Sequence, residues 1–194
     1  MEVLWLESIG LEWGEMEIQE RQLVLDQLAS SEALLLELVD GLTSEQWSFR
    51  EAPERWSIAE NIEHCIVFEN FIKGAIAKAM EGAAEPEKKG LAAGKEPLVL
   101  GLANARGTKF NAREAVRPVG RWPDTTELIA ELRRTRAHTL AFAAETQADL
   151  RDHFFPHIAF GDLDCYQWLV VLGQHGARHA LQIEEIKGDP AYPA

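Results

Sequence analysis

The chain has 194 residues, of which 46% are hydrophobic, and its formal net charge is −13. This length and composition predict one domain with a substantial core and exclude a disordered chain. The negative charge argues against a nucleic-acid-binding surface and against docking on anionic lipid, because both need clustered Lys and Arg.

The sequence also indicates a compartment. No apolar run approaches the roughly 18 residues of a membrane span, and no basic residue precedes Arg21, so a secretory signal is not predicted. Cys65 and Cys165 lie far apart and belong to no CxxC motif. We therefore predict two reduced core thiols in a cytoplasmic protein.

The N-terminal part of the chain divides into an arm and a helix. Residues 1–14 mix apolar and acidic residues without periodicity, and we interpret them as an arm ahead of a domain that spans residues 15–190. Leucines then recur at three- and four-residue steps over residues 15–40, which predicts a helix that ends at Gly41.

A second long helix is predicted to begin at the capping box formed by Ser57 and Glu60, and to reach about Met80. Residues 82–122 then contain scattered glycines and prolines, which predicts a long connection with little regular structure. In a helical bundle, a crossover of this length lets two consecutive helices run parallel.

Two further helices complete the predicted fold. Asp124 caps a third helix that extends to about Gln147, and a turn region over residues 149–162 leads to a last helix over residues 163–187. No strand is predicted anywhere in the chain. We therefore predict an all-α four-helix bundle with a long crossover between its second and third helices.

The most informative stretch is Val170–Ile186, which contains His175 and His179. Residues at i and i+4 lie on the same face of a helix, so both imidazoles can reach one metal ion. Apolar neighbours predict that this helix is buried, and a buried polar pair needs a partner. His64, near the core face of the second helix, is the candidate third ligand. Three histidines leave the fourth position open, as in catalytic zinc sites.

The spacing of the histidines alone is compatible with a metal site and also with a helix that binds no metal. A histidine pair at i and i+4 also occurs as a hydrogen-bonded core feature or by chance on a surface. Gly176 stands where the zincin motif HExxH has its glutamate, so peptidase activity is not predicted.

Other polar and aromatic residues are open to a functional and a structural interpretation. His153 and His157 are interpreted as solvated loop residues that could line a site, and His138 as exposed. Trp56 and Trp168 are interpreted as core or lid residues. Candidate partners that could orient the imidazoles are also ordinary polar residues of a helix face: Glu60, Gln174, Arg178 and Gln182.

Three motifs together resemble the DinB/YfiT-like superfamily, in particular its DinB_2 branch. They are Trp56–His64 (WSIAENIEH), Phe160-Gly161 followed by Tyr166–Leu169 (YQWL), and His175–Ile183 with its HxxRHxxQI pattern. The resemblance runs from about Leu23 to Ile186. It implies a four-helix bundle, often a homodimer, with one divalent metal ion, nickel or zinc, on His64, His175 and His179.

The resemblance also implies a class of reaction. Characterised relatives are similar to thiol-dependent S-transferases or isomerases that use bacillithiol, mycothiol or glutathione, in which the metal holds the thiolate. The leading hypothesis is therefore a metal-dependent enzyme, a transferase that uses a low-molecular-weight thiol. The alternative is a non-catalytic, stress-related bundle whose ion only stabilises the fold. The locally basic 82–122 connection is interpreted either as a binding element for an anionic thiol or as a solvated loop.

Overall fold

The computed structural model describes residues 18–105 and 112–194. These residues form seven α-helices, two 3-10 turns and one small sheet. The elements are α1 (Ile18–Val39), α2 (Ser44–Ser48), α3 (Ile58–Met80), a 3-10 turn (Pro86–Lys88), α4 (Lys89–Ala93), α5 (Glu96–Leu100), a second 3-10 turn (Glu114–Val116), α6 (Thr125–Glu145), β1 (Phe154–His157), β2 (Gly161–Asp164) and α7 (Cys165–Lys187). The predicted arm, residues 1–14, lies outside the described residues.

Four long helices, α1, α3, α6 and α7, pack against one another around the core. The N-terminal halves of α1 and α7 share one apolar cluster with the C-terminal halves of α3 and α6, and the other four halves share a second cluster. Hence α1 and α7 run in one direction, and α3 and α6 run in the opposite direction. The long connection therefore joins two helices that run parallel. Among the described residues, no helix has the length and apolar character that a bilayer crossing requires.

The predicted starts of the second and third long helices, α3 and α6, are confirmed by their caps. Ser57 Oγ accepts a hydrogen bond from the Glu60 amide at 3.3 Å, and Glu60 Oε2 accepts one from the Ser57 amide at 2.8 Å. Asp124 caps α6 by accepting from the Glu127 amide at 3.0 Å. These bonds satisfy amides that have no partner inside the helix.

The prediction that the chain has no strand is wrong. β1 pairs antiparallel with β2, and Phe155 lies opposite Leu163. Gly161, at φ +67°, supplies the left-handed conformation that the short hairpin loop needs. Each strand has only four residues, too few to display a recognisable alternation. The hairpin also delays the start of α7 from the predicted Leu163 to Cys165.

The connection over residues 82–122 has more regular structure than predicted. Its described part contains two short helices and two 3-10 turns, each about one turn long. Tertiary contacts hold them, as where Gln167 Nε2 donates to the Ala92 carbonyl at 2.6 Å. Cys65 and Cys165 are both buried and form no disulfide.

Replacing Gly173 with alanine is expected to destabilise the protein by about 1–3 kcal/mol. A Cβ at this position would lie 2.8 Å from Gln27 Cβ and 3.1 Å from the Gln27 carbonyl carbon, so α1 and α7 would have to separate. Gly74→Ala is the matched control, since nothing lies within 4 Å of its Cβ position. Because Gly74 is exposed within a helix, Gly74→Ala should increase the free energy of unfolding by about 1 kcal/mol. Urea denaturation measures both, and equal effects would contradict the close approach.

Candidate metal centre

The three predicted histidines come together between α3 and α7. His64, His175 and His179 each offer one ring nitrogen, and these nitrogens all lie within 4.8 Å of one another. The Nε2 atoms of His175 and His179 are 3.2 Å apart. Their ring centroids lie 4.5 Å apart, and that of His64 lies 4.9 Å from that of His179. The i, i+4 spacing on α7 thus places two imidazoles on one face of the helix, and α3 supplies the third.

Hydrogen bonds determine how two of these imidazoles are oriented. His64 Nδ1 lies 2.7 Å from the Val116 carbonyl oxygen, which can only accept, so Nδ1 carries the proton. His179 Nδ1 lies 2.8 Å from Asn61 Oδ1, while the Asn61 amide nitrogen donates to the Ser57 carbonyl at 2.8 Å. In both histidines the Nε2 lone pair is therefore left for the shared space between the rings.

Burial keeps two of the three histidines, His64 and His175, uncharged at neutral pH. It lowers the pKa of His64 to about 4, although the Val116 hydrogen bond acts in the opposite direction. Burial, followed by the neighbouring His179 and His64, lowers the pKa of His175 well below its ordinary value. Neutral imidazole is the form that binds metal, so no proton has to be displaced at neutral pH.

The metal-free protein is expected to lose stability on acidification. The unfolded chain protonates His64 as pH falls through 6.5, while the folded protein does not do so until about pH 4. The contribution of neutral His64 to the free energy of unfolding is therefore fully present above pH 6.5 and decreases as the pH falls toward 4. At pH 5 this contribution has decreased by about 2 kcal/mol. Urea denaturation at pH 7 and pH 5 measures this loss. The His64→Gln variant has no titrating group at this position, so its free energy of unfolding should fall less between pH 7 and pH 5. An identical fall in the parent and the variant would contradict a neutral His64.

Two aromatic rings pack directly on the histidines. The ring centroid of Trp56 is 4.7 Å from that of His64, and Trp56 stacks over His179 at 6.3 Å. Phe68 stacks on His175 at 4.0 Å. Trp56, interpreted from sequence as a core or lid residue, thus covers the cluster.

The candidate orienting residues from sequence are mostly engaged elsewhere. Glu60 caps α3 and pairs with Arg50 at 2.7 Å. Gln174 binds the Ala103 amide and Gln27, each at 3.2 Å. Arg178 donates to the carbonyls of Leu102 and Ala105, and Gln182 lines the cavity described below.

Sequence reasoning missed the two groups that do orient the imidazoles. Asn61 precedes His64 by three residues, so the shared helix face was a usable signal for it. The Val116 carbonyl is a backbone group 52 residues from His64 in sequence, and nothing in its own side chain marks it.

A buried carboxylate holds the segment that carries Val116. Glu63, 3% exposed, accepts hydrogen bonds from the amides of Val119 and Gly120, each at 2.8 Å, and from Arg121 Nη1 at 2.7 Å. Burial alone would raise the pKa of Glu63, but these hydrogen bonds outweigh it and the pKa is lowered. The end of the long connection is thereby fixed to α3, beside His64.

The remaining histidines lie outside the cluster. His138 is exposed on α6, as predicted. His157 lies in β1 and lines the cavity described below, so its interpretation as a solvated loop residue is wrong and the alternative, that it lines a site, holds. His153 lies in a loop, as predicted, but is half-buried. His153 Nδ1 lies 3.1 Å from the Ala79 carbonyl oxygen, and His157, in β1, stacks on Phe160 at 4.5 Å.

The histidine cluster opens into a cavity of about 620 Å³. Such a volume is typical of sites for small organic ligands. The cavity lies among α3, α7, β1 and the segment around the second 3-10 turn. Its histidine, aromatic and arginine lining residues on these elements include His64, Phe68, Phe71, Arg113, Arg117, Phe155, His157, Trp168, His175 and His179.

Replacing Asn61 with leucine is expected to weaken metal binding by about 10–100-fold, the usual effect of losing an orienting partner. His179 would keep its place on α7 but lose the acceptor that fixes its Nδ1 proton. Competition with a chromophoric chelator measures the affinity. Asn61→Asp, which retains an acceptor, is the matched control and should bind at least as tightly as the parent. Unchanged affinity in Asn61→Leu would contradict this role.

Two comparisons with known proteins identify relatives of this chain. The sequence profile of DinB_2, described as the DinB superfamily, matches residues 27–183. Uncharacterized protein YuaE of Bacillus subtilis (strain 168) is 26% identical over 147 residues, which cover 76% of this chain and 86% of that protein. The profile match includes all three clustered histidines and most of the four long helices. The chain therefore belongs to the DinB superfamily.

Proposed function

We propose that this protein is a metal-dependent enzyme in which His64, His175 and His179 hold one divalent ion. The observation that carries the proposal is that three imidazoles converge beside a cavity large enough for a small organic ligand. The donor set fits such an ion. Nitrogen ligands about 2.1 Å from a tetrahedral ion lie about 3.4 Å apart, and the His175 and His179 Nε2 atoms are 3.2 Å apart.

The chemistry proposed for the site is transfer from a low-molecular-weight thiol. Bound on three histidines, a divalent ion supplies Lewis acidity and lowers the pKa of a coordinated thiol. The protein's own part is to keep the imidazoles neutral and oriented, while Trp56 and Phe68 exclude water from two sides. Nickel and zinc both suit imidazole donors. The resemblance to thiol-dependent transferases supports this reaction.

The proposal also covers the fold, the domain boundaries, the oligomeric state and the location of the enzyme. The antiparallel packing of α1 and α7 against α3 and α6 supports a four-helix bundle with a long crossover over residues 82–122. We propose that residues 15–190 form this domain, preceded by an arm at residues 1–14. A homodimer and a cytoplasmic location complete the proposal, and both rest on the resemblance and the composition.

The second candidate function is a non-catalytic metal-binding protein. One observation favours it: the ligands lie on α3 and α7, far apart in sequence, so an ion would cross-link two helices of the core. The cavity beside the histidines favours catalysis instead, because a purely structural site needs no adjoining space.

The test measures metal content and turnover in protein purified without a metal-affinity tag. We expect about one equivalent of nickel or zinc, and metal-dependent conjugation of monochlorobimane with one of several added thiols. His138→Ala, at an exposed site, should change neither result. Metal without turnover for any thiol would favour the non-catalytic function, and no metal after divalent ions are offered would refute both.

A further inference from the structure

A wall of aromatic rings extends the cavity away from the histidines. Phe68, Phe71, Phe155 and Trp168 all line it. The ring centroids of Phe71 and Phe155 are 6.3 Å apart, and those of Phe155 and Trp168 are 5.4 Å apart. The three phenylalanines are only partly buried against the core, so their rings keep surface that a ligand can cover.

The indole N–H of Trp168 needs no hydrogen-bond acceptor from a ligand. Its indole Nε1 already donates to the Phe155 carbonyl at 2.8 Å, which also ties α7 to the hairpin. Because Trp168 is 3% exposed, its indole supports the wall from behind, and Phe71 and Phe155 provide the apolar surface that a ligand can cover.

The charge of the cavity is opposite to that of the whole chain. Four arginines and one glutamate line it, although the chain carries a net −13. Arg55 pairs with Glu51 at 2.9 Å and Glu185 at 3.6 Å, and Arg178 binds two carbonyls. The other two, Arg113 and Arg117, are exposed. Arg117 Nε donates to the Ala112 carbonyl at 3.2 Å, and this bond leaves the two Nη groups of Arg117 for a ligand.

Arg113 and Arg117 line the cavity from the segment that contacts the metal centre. They flank the second 3-10 turn, Glu114–Val116, and the Val116 carbonyl binds His64. Arg113 is also close enough to His157 in β1 to lower the pKa of that histidine, in addition to the larger effect of burial. A negative group in the cavity would meet both guanidinium groups there.

We propose that the cavity binds an apolar aromatic molecule with one negatively charged group. Its rings cover Phe71 and Phe155, and its anionic group lies between Arg113 and Arg117. This inference rests on the proposed function, for which it names the class of the electrophilic substrate. Confinement of opposite charge by apolar walls strengthens such recognition.

Calorimetric titration with 2-naphthoate and with its neutral counterpart 2-naphthalenemethanol tests the inference. Chelator-treated protein and protein as purified should bind 2-naphthoate within about threefold of each other, because the arginines hold the carboxylate. We expect 2-naphthoate to bind about tenfold more tightly than the alcohol, from hydrogen bonds to charged donors. Since neither metal nor turnover is needed, this result is independent of whether the proposed reaction occurs.

Variants assign the binding to the two parts of the cavity. Arg113→Gln with Arg117→Gln should remove most of the preference for 2-naphthoate and leave the alcohol unchanged. The matched control, Arg133→Gln with Arg134→Gln on exposed positions of α6, removes the same charge elsewhere and should have little effect. Phe155→Ala should weaken both probes. Equal binding of the two probes, no binding of either, or an equal loss in the control pair would overturn the inference.

Discussion

Replacing His175 with alanine is expected to abolish stoichiometric binding of a divalent ion while leaving the helical content intact. The substitution removes one of three converging nitrogens, and we expect a loss greater than the roughly hundredfold effect of losing an orienting partner. Alanine favours the helix, so α7 should form normally. Elemental analysis and far-ultraviolet circular dichroism measure the two properties on the same sample.

Controls separate the ligand role of His175 from a general effect of histidine loss. His64→Ala and His179→Ala should behave like His175→Ala, whereas His138→Ala should retain a full equivalent of metal. Retention of a full equivalent by His175→Ala would rule out this set of three ligands.

Replacing Arg136 with methionine is expected to destabilise the fold by about 3–5 kcal/mol. Arg136 is 1% exposed and bridges three helices: its Nη2 lies 2.9 Å from Glu69 Oε2 on α3, and its Nη1 lies 2.8 Å from Ser31 Oγ on α1. Methionine would leave the buried Glu69 carboxylate without its cation, which is the costly outcome for such pairs. Urea denaturation measures the change.

Two controls make this stability test specific. The double variant Glu69→Leu with Arg136→Met removes both charges and should recover most of the loss. Arg134→Met breaks an exposed pair with Glu131 and should cost less than about 1 kcal/mol. A double variant as unstable as the single one would show that packing around Arg136, rather than its charge, provides the stability.

Local signals were enough to predict the helices but not the arrangement of the core. Capping residues such as Ser57 and Asp124 determine local hydrogen bonds, so the starts of α3 and α6 could be read from sequence. Arg136 lies in an arginine-rich stretch that resembles a solvated helix face. Its burial depends on Glu69 and Ser31, which lie on other helices, and no pattern within α6 reports them.

The same limit applies to the candidate site. His175 and His179 could be predicted as ligands from their i, i+4 spacing on one helix. His64 could be predicted as the third ligand from its position near the core face of its helix. The groups that orient them differ in kind: Asn61 is a side chain on the same helix as His64, whereas Val116 contributes only its carbonyl. Every residue has a backbone carbonyl, so the sequence does not distinguish the one of Val116. Its role as the acceptor for His64 depends on the folded position of the connection, which Glu63 holds against α3.

The packing of α1 against α7 has a consequence for synthesis on the ribosome. This is the most extensive helix interface of the described residues, yet about 125 residues separate the end of α1 from the start of α7. At translation rates of about 5–20 residues per second, α1 waits roughly 6–25 s for its main partner. During that interval the apolar face with Val24, Leu28 and Leu35 lacks its cover from α7, and only α6 is synthesised in time to pack on α1 earlier. The native core therefore closes only when the last helix has emerged, which makes protection of the nascent first helix a requirement of this topology.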